Sequence, residues 1–263
     1  MGTDRNPFHH ARYRRSNAYD PAWVLANQMG PHALWLLESL TEVLPVDRPV
    51  RVLDLGCGRA MTSIFLAREF GAEVWATDLW VDAVDNLVRA RAAGVADRVV
   101  PVHAEAHALP FAPHFFDLVV SIDSYHYFGT DDLYLGYLLG FLRPGGRIGI
   151  VVPALHRPPG AGVPAHLLPY WDWEFCSFHG PRWWRDHWEK TGQVQVEVAD
   201  TVEDGWRDWL RFDEVTLPSL SGWRRRAAAD SAAMLRADAG RHLGFTRMVA
   251  TRIGPRTGIS PRS

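Results

Sequence analysis

The stretch Val52-Leu53-Asp54-Leu55-Gly56-Cys57-Gly58-Arg59-Ala60 constrains this chain more than any other. A short apolar run ends at an acid, passes through a glycine turn and opens into a helical pattern from about Ala60 to Phe70. Gly56 and Gly58 let the backbone approach a ligand closely, and the start of the next helix offers unpaired N–H groups. Strand, glycine turn and helix in that order are the first unit of an open, mostly parallel sheet. Asp78 follows Gly58 by twenty residues, at the end of the next apolar run, where an acid can accept both hydroxyls of a ribose.

The alternation then continues. Val74–Thr77 reads as a strand, Asp82 to about Ala93 as a helix stopped by Gly94, and Val99–His103 and Phe116–Ile122 as strands. A helix is expected from Asp131 to Leu142, before Pro144-Gly145-Gly146, and a fifth strand over Arg147–Val152. Such alternation gives right-handed βαβ crossovers and a doubly wound α/β sheet. Ahead of it, Asp20-Pro21 is a helix start, and a second helix from Pro31 carries Leu34, Leu36, Leu37, Leu40 and Leu44. After Val152 the pattern breaks. Residues 153–180, rich in Pro, Gly, His and aromatics, suit a cap over the strand ends, joined by two helices across about 204–238. A helix over Pro181–Thr191 and strands over Val194–Val198 and Phe245–Ile253 complete the domain at 19–253. Residues 1–18 read as a flexible basic arm and 254–263 as a loose tail.

Composition narrows the classes. A formal net charge of −2 creates no field that would recruit nucleic acid or an anionic membrane. Cys57 and Cys176 are too few for a disulfide framework and make a poor metal site, so no metal is expected. Met1 to Arg15 has no apolar run like that of a secretory signal, and no stretch is apolar enough for a membrane span. These features suit a reduced, cytoplasmic protein.

A dinucleotide site would want a third glycine where Met61 stands, and Asp54 before the turn would repel a pyrophosphate. A cationic or zwitterionic ligand without phosphate suits the turn better, and S-adenosylmethionine meets both conditions. Asp54-Leu55-Gly56-Cys57-Gly58 resembles the first motif of class I S-adenosylmethionine methyltransferases, and Thr77-Asp78-Leu79 the second. Ala104-Glu105-Ala106-His107-Ala108-Leu109-Pro110-Phe111 is similar to the third, Phe116-Asp117-Leu118-Val119-Val120-Ser121 to the fourth, and Leu142-Arg143-Pro144-Gly145-Gly146-Arg147 to the motif before strand five. The group it looks most like contains ubiquinone and menaquinone C-methyltransferases. The resemblance implies a seven-stranded, Rossmann-like methyltransferase fold with N-terminal lid helices at 20–44, a cofactor core at 50–152 and a cap. It further implies that Gly56 and Gly58 line the methionine end, that Asp78 holds the ribose and that Leu79 packs on the adenine. Glu105, where the family usually has aspartate, would accept from the adenine amino group. The expected cofactor-binding residues are therefore Asp54, Gly56, Gly58, Asp78, Leu79, Glu105, Ala106 and Asp123. Met29-Gly30 resembles the lid.

Methyl transfer needs a positioned acceptor and excluded water, and a base only where the nucleophile must lose a proton. Asp123-Ser124-Tyr125-His126-Tyr127-Phe128-Gly129 follows strand four, at the edge where ligands bind. Within it His126 is the candidate for proton handling, since its ordinary pKa is near neutral, with a loop-backbone hydrogen bond as the structural alternative. Asp123 could orient it or touch the methionine amino group, and Tyr125 or Tyr127 could meet the acceptor or simply pack. Tyr170, Trp171, Trp173 and Phe175 either hold a flat or cationic acceptor or form the cap's own core. Trp183, Trp184 and Trp188 have the spacing of packing residues. His9 and His10, near Arg14 and Arg15, either close over an acidic acceptor or belong to the arm.

The expected activity is transfer of methyl to O, N or C of a small-molecule acceptor, with no nucleic acid partner and an open oligomeric state. An RNA or protein substrate would call for a basic patch or an Asn-Pro-Pro-Tyr type motif after strand four, and neither is present. A sensor, or an enzyme using S-adenosylmethionine without methyl transfer, would carry the same binding residues.

Overall fold

β1 (Arg51–Leu55) and β2 (Glu73–Asp78) pair in parallel, their Val52, Leu53, Leu55, Val74 and Ala76 forming short apolar runs buried on both faces. The computed structural model describes residues 6–46, 50–157 and 162–254. Seven strands form one sheet in the order β3-β2-β1-β4-β5-β7-β6, with β3 (Val99–His103), β4 (Phe116–Ile122), β5 (Leu142–Leu155), β6 (Val194–Thr201) and β7 (Leu243–Arg252). β1 to β5 run parallel, whereas β7 lies antiparallel between β5 and β6. The order reverses at β1 and β4, so the carboxyl ends of these strands open a crevice there.

Helices α1 (Pro21–Asn27), α2 (Ala33–Thr41), α3 (Met61–Phe70) and α4 (Ala83–Ala92) precede β3. α5 (Tyr134–Leu139), α6 (Pro181–Glu189), α7 (Gly205–Thr216) and α8 (Gly222–Asp238) follow β4. Two apolar cores flank the sheet, one containing Leu37, Val52, Phe65 and Phe245, the other Leu53, Tyr125, Trp184 and Trp188. A third, smaller core under the cap joins Leu155, Leu167, Phe178, Leu235 and Leu243, with Tyr170, Trp171 and Phe175 packed against it. Among the described residues no helix is long and apolar enough to cross a membrane.

Three expectations need correction. Residues 6–18 are packed, not a loose arm. Phe8 and Tyr13 are buried, Phe8 meets the rings of His32 and Phe212, and His10 Nε2 lies 3.0 Å from Asp208 Oδ1. Arg12 forms a two-point pair with Glu42, and Arg211 donates to the carbonyls of Pro7 and His9. The helix expected from Asp131 is only Tyr134–Leu139, because the Asp131 carboxylate accepts from Leu133 N–H at 2.7 Å and holds a turn instead. The fifth strand reaches Leu155, since Pro153–Leu155 pair with Leu243–Phe245, so the cap begins later than residue 153. The tail at 255–263 lies outside the described residues.

Candidate functional site

Where β1 ends, the chain turns through Gly56 and Gly58, with Gly56 at φ +72°. The turn is fastened on three sides. Gly56 and Cys57 N–H both donate to Thr77 C=O, Gly58 N–H donates to Asp78 Oδ2 at 2.8 Å, and Asn86 Nδ2 donates to Gly58 C=O at 2.9 Å. A side chain at Gly56 would place its Cβ 1.8 Å from Ser124 Oγ, so the turn meets the loop after β4 with no space between. Gly30 also lies close to Asp123, at 2.5 Å from a built Cβ to Oδ2.

These approaches bound a cavity of about 310 Å³ at the carboxyl ends of β1, β2 and β4. Its floor is Leu55 to Gly58, with Thr77, Asp78 and Ala104 to His107 along one wall and Ile122 to Ser124 along another. Asn27, Met29, Gly30 and Pro31 cover it. Asp78 is nearly buried; its Oδ1 accepts from Trp80 and Val81 N–H, while among the described residues Oδ2 accepts from Gly58 alone, which leaves a lone pair for one further donor. Leu79 and Trp80 stand beside it, half and three-quarters exposed, as an apolar shelf on which Trp80 meets the edge of Tyr127. His103 Nε2 holds the shelf through the Leu79 carbonyl at 2.7 Å. Glu105 takes both the N–H and the ring Nδ1 of His107, and that bond keeps its carboxyl below the ordinary range.

Asp123 is the electrostatic outlier. It sits at φ +54° just past β4, and loss of water, with Asp213 adding like charge, pushes its pKa up to about 7. Asp213, on α7, is likewise raised to about 7 by burial, although Ser231 Oγ donates to it at 2.6 Å.

The expected cofactor residues Gly56, Gly58, Asp78, Leu79, Glu105, Ala106 and Asp123 all line this one cavity. Asp54 does not. It lies behind the turn, fully buried, with Oδ2 accepting from Thr62 and Ser63 hydroxyls at 2.6 and 2.5 Å, and burial raises it to about 6. Nor do His126 and Tyr125 reach the cavity. His126 is 2% exposed, packs on Tyr127 and Phe178, and burial drives its pKa down to about 3, which favours the neutral ring. Tyr125 is enclosed by Phe128, Tyr134, Trp184 and Trp188. Of His126, Asp123 and Tyr125, the three residues expected at the catalytic edge, Asp123 is the one that lines the cavity among the described residues.

The sequence reading missed a bridge. Arg89 donates to Asn27 Oδ1 at 3.0 Å and to Asn86 Oδ1 at 3.1 Å, tying the cover, the glycine turn and α4 together. Trp80 was also missed, although an apolar residue beside the strand-end acid was visible.

Residues 52–146 match the family described as "Methyltransferase domain". Over 144 residues the chain is 37% identical to a demethylmenaquinone methyltransferase of Clavibacter sepedonicus, covering 55% of this chain and 56% of the relative. The chain spans about half the length of the curated relatives it matches. Phosphoethanolamine N-methyltransferase 2 of Haemonchus contortus, solved with S-adenosyl-L-methionine, superposes with TM-score 0.71 at 19% identity, over 97% of this chain and 61% of that one. The [4+2]-cyclase SpnF superposes with TM-score 0.66 at 21% identity, over 84% and 82%. The seven-stranded sheet is thus the methyltransferase form of the Rossmann-like fold.

Proposed function

We propose that this chain, which carries a methyltransferase domain over residues 52–146, transfers a methyl group from S-adenosylmethionine to a small-molecule acceptor. The observation that supports this most is the convergence of the turn, Asp78, the Leu79–Trp80 shelf and Asp123 on one cavity under a lid. Asp78 Oδ2 has one free lone pair for a ribose hydroxyl, the shelf suits a flat base, and Gly56 and Gly58 leave the floor open to the amino-acid tail. When bound, the cofactor supplies an electrophilic methyl on a sulfonium that leaves as a neutral thioether. Asp123 then accepts the proton that an acceptor hydroxyl or amine must lose, its pKa of about 7 suiting that task near neutral pH.

The lining also suggests an acceptor charge. Asp78, Glu105 and Asp123 supply negative charge, while Arg59, the one arginine or lysine among the described lining residues, donates to the Ala26 carbonyl at 2.6 Å. Three carboxylates against one guanidinium leave the lining net negative, so a neutral or cationic molecule fits better than one bearing phosphate or carboxylate. We place the enzyme in the cytoplasm, acting without nucleic acid.

Calorimetric titration with S-adenosylmethionine and S-adenosylhomocysteine, for the wild type and Asp78→Ala, tests the site. Micromolar binding that the substitution weakens at least about tenfold (~1.4 kcal/mol) is expected; no binding by the folded wild type overturns the reading. The likeness in fold to a cyclase supports a second reading, cofactor binding without methyl transfer. Formation of S-adenosylhomocysteine with an acceptor present separates the two.

A further inference from the structure

We propose that His166, Asp238 and His242 form a site for one divalent transition-metal ion of the zinc class, held by two imidazole nitrogens and one carboxylate oxygen. The three side chains come together at the far side of the cap, where α8 ends and β7 begins, and none of them lines the cavity. His166 Nε2 lies 2.9 Å and His242 Nδ1 3.2 Å from the same oxygen, Asp238 Oδ1, and all three atoms fall within 4.8 Å of one another. Zinc bonds of about 2.0–2.2 Å place tetrahedral ligands roughly 3.3 Å apart, so both His–Asp distances already lie within a few tenths of an ångström of that spacing, and rotation of the imidazoles adjusts the third.

The charge balance points the same way. Asp238 is 0% exposed, and among the described residues neither arginine nor lysine pairs with its carboxylate. The adjacent Arg241 turns instead to the main-chain carbonyls of Ala237 and Asp238. A buried carboxylate whose side-chain partners among the described residues are two imidazoles, with no cation, is the arrangement a dication completes. Oδ2 accepts from His242 and Leu243 N–H, both at 2.9 Å, which fixes the carboxylate plane as the outer hydrogen bonds of metal ligands do. Imidazole with carboxylate favours zinc, cobalt or nickel over magnesium or calcium, which prefer all-oxygen sets. The two imidazoles remain 21% and 20% exposed, leaving a route for the ion and a fourth position for water.

Such an ion would bind His166 of the cap to α8 and β7 in one cross-link. The cap core also contains Phe178, which packs on His126, so the cross-link is joined through that core to the loop after β4.

The test uses the untagged, metal-stripped protein titrated with zinc, and with cobalt followed by visible absorption. One equivalent bound at micromolar or tighter affinity, a tetrahedral cobalt spectrum and a raised Tm are expected. His166→Ala should lower zinc affinity at least tenfold and leave S-adenosylmethionine binding unchanged, which separates this site from the cavity. Equal zinc affinity in His166→Ala overturns the proposal. If that variant fails to fold, the wild-type cobalt titration decides alone. No saturable one-to-one complex means that the three residues are a hydrogen-bonded staple only.

Discussion

At the scale of single residues, Asp123 and Asp213 carry the pH behaviour. Both carboxyls are held near 7, above the ordinary 3.8, chiefly by burial, so the folded chain keeps protons that the unfolded chain releases between about pH 4 and 7. Stability therefore falls as pH rises through that window and levels off above it. Asp213→Asn, which can still accept from Ser231, should stabilise the fold by about 2–3 kcal/mol more at pH 8 than at pH 5, seen as a larger rise in Tm at pH 8. An equal gain at both pH values would count against the buried charge. For methyl transfer, the rate should climb through about pH 7 as Asp123 ionises, and Asp123→Asn should flatten and lower it. A pH–rate profile in which the variant keeps the wild-type limb removes Asp123 from proton handling. His126 shows how little residue type decides at this scale. Tyr125–Tyr127 form a single 3-10 turn that faces Tyr125 and His126 inward while Tyr127 lines the cavity, and a one-residue rotation would have reversed this.

At the scale of elements, β1 to β4 and the helices between them were legible because each depends on neighbours close in sequence: apolar runs, an N-cap, a stopping glycine. β3 and β4 span Val99–His103 and Phe116–Ile122, as the pattern of apolar residues and turns implies. The Asn27–Arg89–Asn86 bridge was illegible, since it joins α1 to α4 across sixty-two residues and none of the three is unusual alone. Arg89→Ala should leave the fold intact and raise the Kd for S-adenosylmethionine several-fold, mainly through faster dissociation in stopped-flow measurements. Gly56→Ala should be far worse. It forces a Cβ into Ser124 Oγ at a positive φ, at a cost of about 1–3 kcal/mol for the strain alone, and calorimetry should find cofactor binding lost.

At the scale of the whole molecule, the segment 6–18 spans the surfaces of α2, α3 and α7 through Glu38, Glu69 and Asp208. Its order was not readable from its basic composition, because the acids it meets are supplied by distant helices. Cofactor at a hundred times its Kd should stabilise the folded chain by about 2.7 kcal/mol, seen as a rise in Tm that Asp78→Ala abolishes at the same concentration. The antiparallel β7 has a consequence for biosynthesis. Both neighbours of this strand, β5 and β6, are made before it, and they touch each other only through it. On the ribosome, the apolar edge Ile148–Val152 of β5 therefore stays unpaired, and β6 has no strand to join, until Leu243–Arg252 emerges. Chaperone demand should thus peak late in synthesis, and chains cut short near residue 240 should aggregate.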